Sequence, residues 1–134
     1  MKKVWVNGCF DILHRGHYEL FNYAKSLGDK LIVGIDSDEK VSKDKGIDRP
    51  YNNLEDRVYA LESLKAIDQV IVFDNREHLE DLVKLIKPDI LVVGSDWKNK
   101  DIVGCIYAKK IVYFNRIKGY STTSILANDR KQTV

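Results

Sequence analysis

The sequence predicts an α/β fold built around a parallel sheet. Two observations carry this reading. Short apolar runs alternate along the chain with segments whose apolar residues recur at helical spacing. The runs are also almost uninterrupted by polar residues, as strands covered on both faces must be.

The elements follow in order. Lys3–Val6 is a β-rich run that stops at Asn7-Gly8. A helix starts at about Gly16, with Leu20, Phe21, Ala24 and Leu27 on one face, and Gly28 ends it. Leu31–Ile35 is the second strand. Residues 37–52 are polar and punctuated by Gly46 and Pro50, so they read as a mobile loop with at most a helical turn. Leu54–Leu64 is a second helix, with Val58, Leu61 and Leu64 on one face. Val70–Phe73 is the third strand. Leu79, Leu82, Val83 and Ile86 mark a third amphipathic helix, closed before Pro88. Ile90–Gly94 and Ile111–Phe114 are the fourth and fifth strands. Ser121 is placed to cap a last short helix running to about Ala127, and residues 129–134 read as a fraying end. The sum is a single domain over residues 1–134. It is a Rossmann-like, doubly wound, five-stranded parallel sheet with helices on both faces.

Composition narrows the function. The chain has 134 residues, of which 44% are apolar and 31% charged, a balance that supports a packed core rather than disorder. A formal charge of +2 argues against a protein built to coat nucleic acid. No apolar run approaches the ~20 residues of a membrane span, so no membrane partner is expected. The N-terminus turns polar too early for a signal-peptide core. Cys9 and Cys105 show neither metal nor redox spacing. They read as buried small hydrophobes in a reducing, cytoplasmic compartment.

Parallel sheets bind ligands beyond the carboxyl ends of their strands, so the loops after residues 6, 35, 73, 93 and 114 matter most. The first contains His14-Arg15-Gly16-His17 where a strand gives way to a helix. Gly16 lets a ligand approach the backbone, the helix N-terminus offers N–H groups to phosphate, and the imidazoles add donors. A purely capping role for one histidine is the bland alternative. Zinc is not favoured, because no third ligand stands at a recognisable spacing. Cys9 has no orienting partner as a nucleophile.

In the loop after strand two, Lys40 and Lys43 read as solvated charges, whereas Lys45-Gly46 lies in a segment able to close on an anion. Arg57 either faces the same edge or pairs with Asp56 or Glu62. After strand four, Asp96 is suited to a hydroxyl or base amine. Trp97 either stacks on a flat group or covers the sheet edge. The last loop joins Arg116, a turn glycine at Gly119, and Ser121, Thr122 and Thr123 at a helix start, which is a phosphate site by its chemistry. There is no P-loop and no Gly-x-Gly-x-x-Gly.

Gly8-x-Phe10-Asp11, His14-x-Gly16-His17 and Arg116-x-x-Gly119-x-Ser121-Thr122-Thr123 together resemble the cytidylyltransferase-like nucleotidyltransferase family over about residues 3–127. The resemblance implies transfer of a nucleoside monophosphate from a triphosphate to a phosphorylated sugar or polyol. Pyrophosphate leaves by in-line displacement, Mg²⁺ accompanies the ATP or CTP, and a homodimer is expected. It implies that His14 and His17 stabilise the α-phosphoryl group and the departing pyrophosphate. Lys45 would approach the α-phosphate and the substrate phosphate. Ser121, Thr122 and Arg116 would hold the β and γ phosphates. Gly8, Cys9 and Phe10 would pack the nucleotide, and Asp11 would tie down the histidine loop. Gly16, Asp96, Gly119 and Thr123 complete the expected nucleotide site, and Arg57 and Trp97 the expected substrate site. No residue is assigned as a metal ligand.

Two branches of the family compete. Asn7–His14, Lys45-Gly46-x-x-Arg49-Pro50-x-Asn52 and Ile102-Val103-Gly104 are similar to the adenylyltransferase branch acting on heptose 1-phosphate, which is the preferred reading. Arg116 and the Asp96-Trp97 pair are more similar to the glycerol-3-phosphate cytidylyltransferase branch. A non-catalytic nucleotide-binding sensor on the same fold is the alternative of another class.

Overall fold

The structure of the chain, a computed structural model, describes residues 1–115. The elements run β1 (Lys3–Gly8), α1 (Arg15–Ser26), β2 (Lys30–Asp36), α2 (Asp38–Lys45), α3 (Leu54–Glu62), β3 (Gln69–Phe73), α4 (Arg76–Ile86), β4 (Ile90–Gly94) and β5 (Lys110–Phe114). The helix expected from Ser121 and the expected fraying end lie outside the described residues, as do Arg116, Gly119, Thr122 and Thr123.

All strand pairs are parallel, in the order β3-β2-β1-β4-β5. The expected doubly wound sheet is therefore present. Alternation along β1 sends Val4 and Val6 to one face and Trp5 to the other. The first face joins Leu31, Val33 and Ile35 of β2 to Phe21 and Ala24 of α1 and Leu61 of α3. The second joins Trp5, Ile32 and Leu91 to Leu79 and Val83 of α4 and to Ile102. Helices thus cover both faces, which explains why the strands read as unbroken apolar runs. Each fully buried Leu, Val or Phe in these layers contributes roughly 1.5–3 kcal/mol of transfer free energy. Gly34 interrupts β2 because the Trp5 indole lies over it: a Cβ at residue 34 would come within 2.5 Å of Trp5 Cζ2.

One element departs from expectation. Residues 38–45 form two turns of helix, not a loop. Only Val41 is buried on it, so it carries no apolar periodicity for a sequence reading to find. Polar chemistry defines it instead. Ser37 caps its N-terminus by accepting the Lys40 N–H, Asp38 and Glu39 lie in the first turn, and Lys43 and Lys45 in the last.

The two ends of the sheet differ in chemistry. At the amino ends of the strands, carboxylates hold the chain together: Asp29 accepts the Lys2 N–H, Asp89 the Lys3 N–H and Asp68 the Leu31 N–H. The histidines and the lysines of α2 lie at the opposite, carboxyl ends. Among the described residues, no helix is long and apolar enough to cross a membrane.

Candidate active site

The strand order reverses direction between β1 and β4. The loops that follow these two strands diverge there and leave a crevice at the carboxyl edge. A cleft of about 1060 Å³ occupies this edge. It takes residues from the β1 loop and α1 (Gly8, Cys9, Phe10, His14, Gly16, His17), from β2 and α2 (Asp36, Lys40, Lys45), and from the β4 loop (Gly94, Asp96, Trp97). The β3–α4 turn closes the far end with Asp74, Asn75 and Arg76.

The histidine pair starts α1. His14 is the N-cap, and its Nδ1 accepts the Gly16 N–H at 3.1 Å. His17 stands three residues on, and its Nδ1 accepts the His14 N–H at 3.3 Å. The two side chains form a reciprocal capping box, made here of imidazoles rather than Ser/Thr and Glu. With both Nδ1 atoms accepting, each neutral ring carries its proton on Nε2, a tautomer assigned from the hydrogen bonds. Both rings line the cleft. The rings stack at 3.9 Å between centroids, and the Phe10 ring meets His17 edge-on at 5.4 Å. The capping alternative and the ligand-binding reading are thus compatible. The expectation of free N–H groups at this helix start is corrected: His14 takes the Gly16 N–H through its side chain and those of His17 and Tyr18 through its carbonyl.

Phe10 is buried, has a positive φ of 49°, and closes its ring over Gly8, where a Cβ would come within 3.0 Å. Cys9 is half-buried, as is Cys105, so neither thiol is the fully buried hydrophobe expected. Burial pushes the Cys9 thiol up, against the lowering charges of Lys45 and Arg57.

Asp11 does not face the cleft. Its carboxylate is buried and accepts the backbone N–H groups of Tyr51 and Asn52, both at 2.8 Å, and Arg49 Nε at 2.9 Å. The Asn52 side chain donates to its carbonyl. Burial raises this carboxyl's pKa, but the three donors outweigh burial and hold it below its ordinary value. Asp11 thus ties the histidine loop to the segment that follows α2. It is absent from the residues lining the cleft.

Arg57 departs from both of its expected alternatives. It neither pairs with Asp56 or Glu62 nor reaches the cleft. It is 1% exposed, and its guanidinium donates to the carbonyls of Asn52, Cys9 and Asp36 and to the Asp38 carboxylate. One buried cation therefore joins the histidine loop, the end of β2 and the start of α2. The sequence signal was weak, because these partners lie 5 to 48 residues away.

Lys45 ends α2 as an exposed residue on the cleft wall, and its charge acts on both Cys9 and Asp36. Lys40 is not the solvated charge expected. Its ammonium lies 2.6 Å from Asp44 and 3.5 Å from Asp36, over the Phe73 ring at 5.7 Å. Burial raises the Asp36 carboxyl's pKa despite Lys40. On the β4 side, the Asp96 carboxylate folds over Gly94, and Trp97 is half exposed at the cleft rim.

This combination defines a Rossmann-like α/β protein whose candidate site lies at the switch point of a parallel sheet. A family model described as cytidylyltransferase-like matches residues 5–131, and the chain belongs to that family. Relatives named Bifunctional protein HldE are similar to this chain. The one from a Nitratiruptor species is 49% identical over 95% of the chain, and the one from Helicobacter hepaticus is 44% identical over 99%. The chain spans about a quarter of those relatives, 27% of each. Among solved structures, a lipopolysaccharide core biosynthesis protein from Thermoplasma volcanium is 27% identical with a TM-score of 0.72, covering 88% of this chain and 99% of that one. Pantothenate synthetase from Thermus thermophilus, 14% identical with a TM-score of 0.66, shares the fold over 98% of this chain and 64% of its own.

Proposed function

We propose that the chain transfers the adenylyl group of ATP, supplied as its Mg²⁺ complex, to the phosphate of a phosphorylated sugar, with heptose 1-phosphate as the acceptor. The observation that carries the reading is the imidazole capping box on the switch-point cleft, which sets two histidines side by side among the residues that line it. The choice of branch is supported by the Asn7–His14 segment and by the 44–49% identity to HldE relatives.

In this reading an oxygen of the acceptor phosphate attacks the α-phosphorus in line, and the bond to the pyrophosphate oxygen breaks. No covalent enzyme intermediate forms. The chain contributes positioning and charge stabilisation. His14 and His17 donate from Nε2 to oxygens whose charge grows as the α-phosphoryl group becomes pentacoordinate. Lys45 neutralises the approaching acceptor phosphate. Gly8, Cys9, Phe10 and Gly16 form the floor under the nucleotide, with Asp96 and Trp97 at its rim. Asp11 and Arg57 act at one remove, by holding the histidine loop against α2. Arg116, Gly119, Ser121, Thr122 and Thr123 are assigned to the β and γ phosphates on the resemblance. The reading also takes the chain to work as a homodimer, as the resemblance implies. It assigns the chain to the cytoplasm, where the thiols of Cys9 and Cys105 would stay reduced.

The test is pyrophosphate release with Mg²⁺, crossing ATP and CTP with heptose 1-phosphate and glycerol 3-phosphate. Turnover with ATP and heptose 1-phosphate supports the reading. Turnover with CTP and glycerol 3-phosphate alone would replace it with the cytidylyltransferase branch. Triphosphate binding without release in any combination would leave a sensor.

A further inference from the structure

Two carboxylates near the cleft are treated in opposite ways: the Asp11 side chain is fully buried, whereas that of Asp36 is 12% exposed. Asp11, 2% exposed, accepts three N–H donors at 2.8–2.9 Å. Asp36, 8% exposed, receives no such set. Among the described residues its carboxylate makes one ion pair, to Lys40 at 3.5 Å, longer than the roughly 2.7–2.9 Å of a well-formed charged hydrogen bond. That ammonium is already held by Asp44 at 2.6 Å. A buried carboxylate ordinarily collects donors, because leaving its oxygens without them costs several kcal/mol. The Asp36 side chain instead keeps 12% exposure on the cleft it lines, where its carboxylate can accept further hydrogen bonds from a ligand.

The position is fixed. Asp36 is the last residue of β2, and its carbonyl is gripped by Arg57 at 2.8 Å. Its carboxylate therefore stands on a rigid element at the wall that also carries Lys45, whose charge it senses. Asp74 and Asn75 continue this polar wall. An acceptor whose phosphate is held by Lys45 would carry its carbon skeleton along it.

We propose that Asp36 reads the acceptor: its carboxylate accepts hydrogen bonds from hydroxyl groups on the carbon skeleton of the phosphorylated substrate. The site thereby selects a polyhydroxylated sugar phosphate over acceptors lacking those hydroxyls. The inference rests on the proposed nucleotidyl transfer and adds the residue that chooses the substrate.

The experiment compares the unaltered chain with Asp36→Ala and the isosteric Asp36→Asn. Binding of heptose 1-phosphate and of its monodeoxy analogues is measured calorimetrically beside a non-hydrolysable ATP analogue, and KM values are measured for ATP and acceptor. Asp36→Ala should weaken the acceptor about 10- to 100-fold, the range for a hydrogen bond to a charged group. The ATP KM should stay unchanged. At least one deoxy analogue should bind the unaltered chain correspondingly worse, and the variant should lose that discrimination. If Asp36→Ala fails to fold, Asp36→Asn decides by the same discrimination. Unchanged acceptor binding in a folded variant, or equal loss of ATP and acceptor, overturns the proposal. Acceptor binding without turnover by the unaltered chain overturns the nucleotidyl-transfer reading and leaves this one measurable. No binding by the unaltered chain overturns both.

Discussion

The backbone N–H of His14 donates to Nδ1 of His17 at 3.3 Å, so the first histidine of the pair fixes the tautomer of the second. His14 Nδ1 is fixed likewise by the Gly16 N–H. In the proposed reading a structural and a chemical task share each ring: one nitrogen caps the helix and the other carries the donor proton.

The two tasks can be separated by substitution. His14→Ala should cost about 1 kcal/mol of stability as a lost N-cap and lower turnover ~10²–10³-fold as a lost transition-state donor. His14→Asn keeps an N-cap acceptor without an Nε2–H group. It should recover most of the stability and none of the turnover. Thermal melts beside pyrophosphate-release rates check this, and recovery of both would make the imidazole a cap alone.

Asp11 should give the chain an acid-sensitive tether. Its carboxyl sits below its ordinary pKa, since burial raises the value less than the Asn52, Tyr51 and Arg49 donors lower it. A depressed folded value contributes stability that is complete above the unfolded pKa and is lost as pH falls through the folded one. Asp11→Asn should lose that contribution at neutral pH and show a flatter decline between neutral pH and about pH 3. Urea midpoints measured across that range test it, and parallel curves for the two chains would refute it.

The sequence exposed most of this fold because the sheet is covered on both faces. Val4, Ile32 and Leu91 need no partner identified in advance to read as core. Helix α2 escaped because its determinants are a cap, two terminal charge sets and one buried valine. Asp11 was expected to tie down the histidine loop, and it does so, but through a segment 38 to 41 residues away. Arg57 was misread for the same reason: local pairing looked available, whereas its partners converge only when β1, β2 and α2 meet. Lys40 reads as solvated until the end of β2 brings Asp36 beside it. Long-range polar contacts of this kind leave no periodic trace.

Arg57 should therefore resist even conservative change. Arg57→Lys replaces a planar guanidinium that donates to four groups with a point charge unable to reach them together. The variant should lose roughly 3 kcal/mol, the cost of disrupting a buried charged network, read as a lower denaturant midpoint. Asp38→Asn should cost less, because the Asp38 side chain is 44% exposed. Equal midpoints for Arg57→Lys and the unaltered chain would show that the network does not hold these segments.

Lys45 makes the contrasting case. It is exposed at the end of α2 and supports no core contact, so Lys45→Ala should leave the melting temperature within about 0.5 kcal/mol equivalent of the unaltered chain. Helix α2 is also anchored through Val41, Ser37 and the Arg57–Asp38 pair, none of which the substitution touches. The expected defect is catalytic: turnover should fall ~10- to 100-fold through lost positioning and charge at the acceptor phosphate. Lys45→Arg keeps the charge with different geometry and should fall between the two. Rates at saturating ATP with varied acceptor, beside melts of the same samples, separate the outcomes. Unchanged rates in Lys45→Ala would remove this residue from the reaction and return it to the solvated face of the helix.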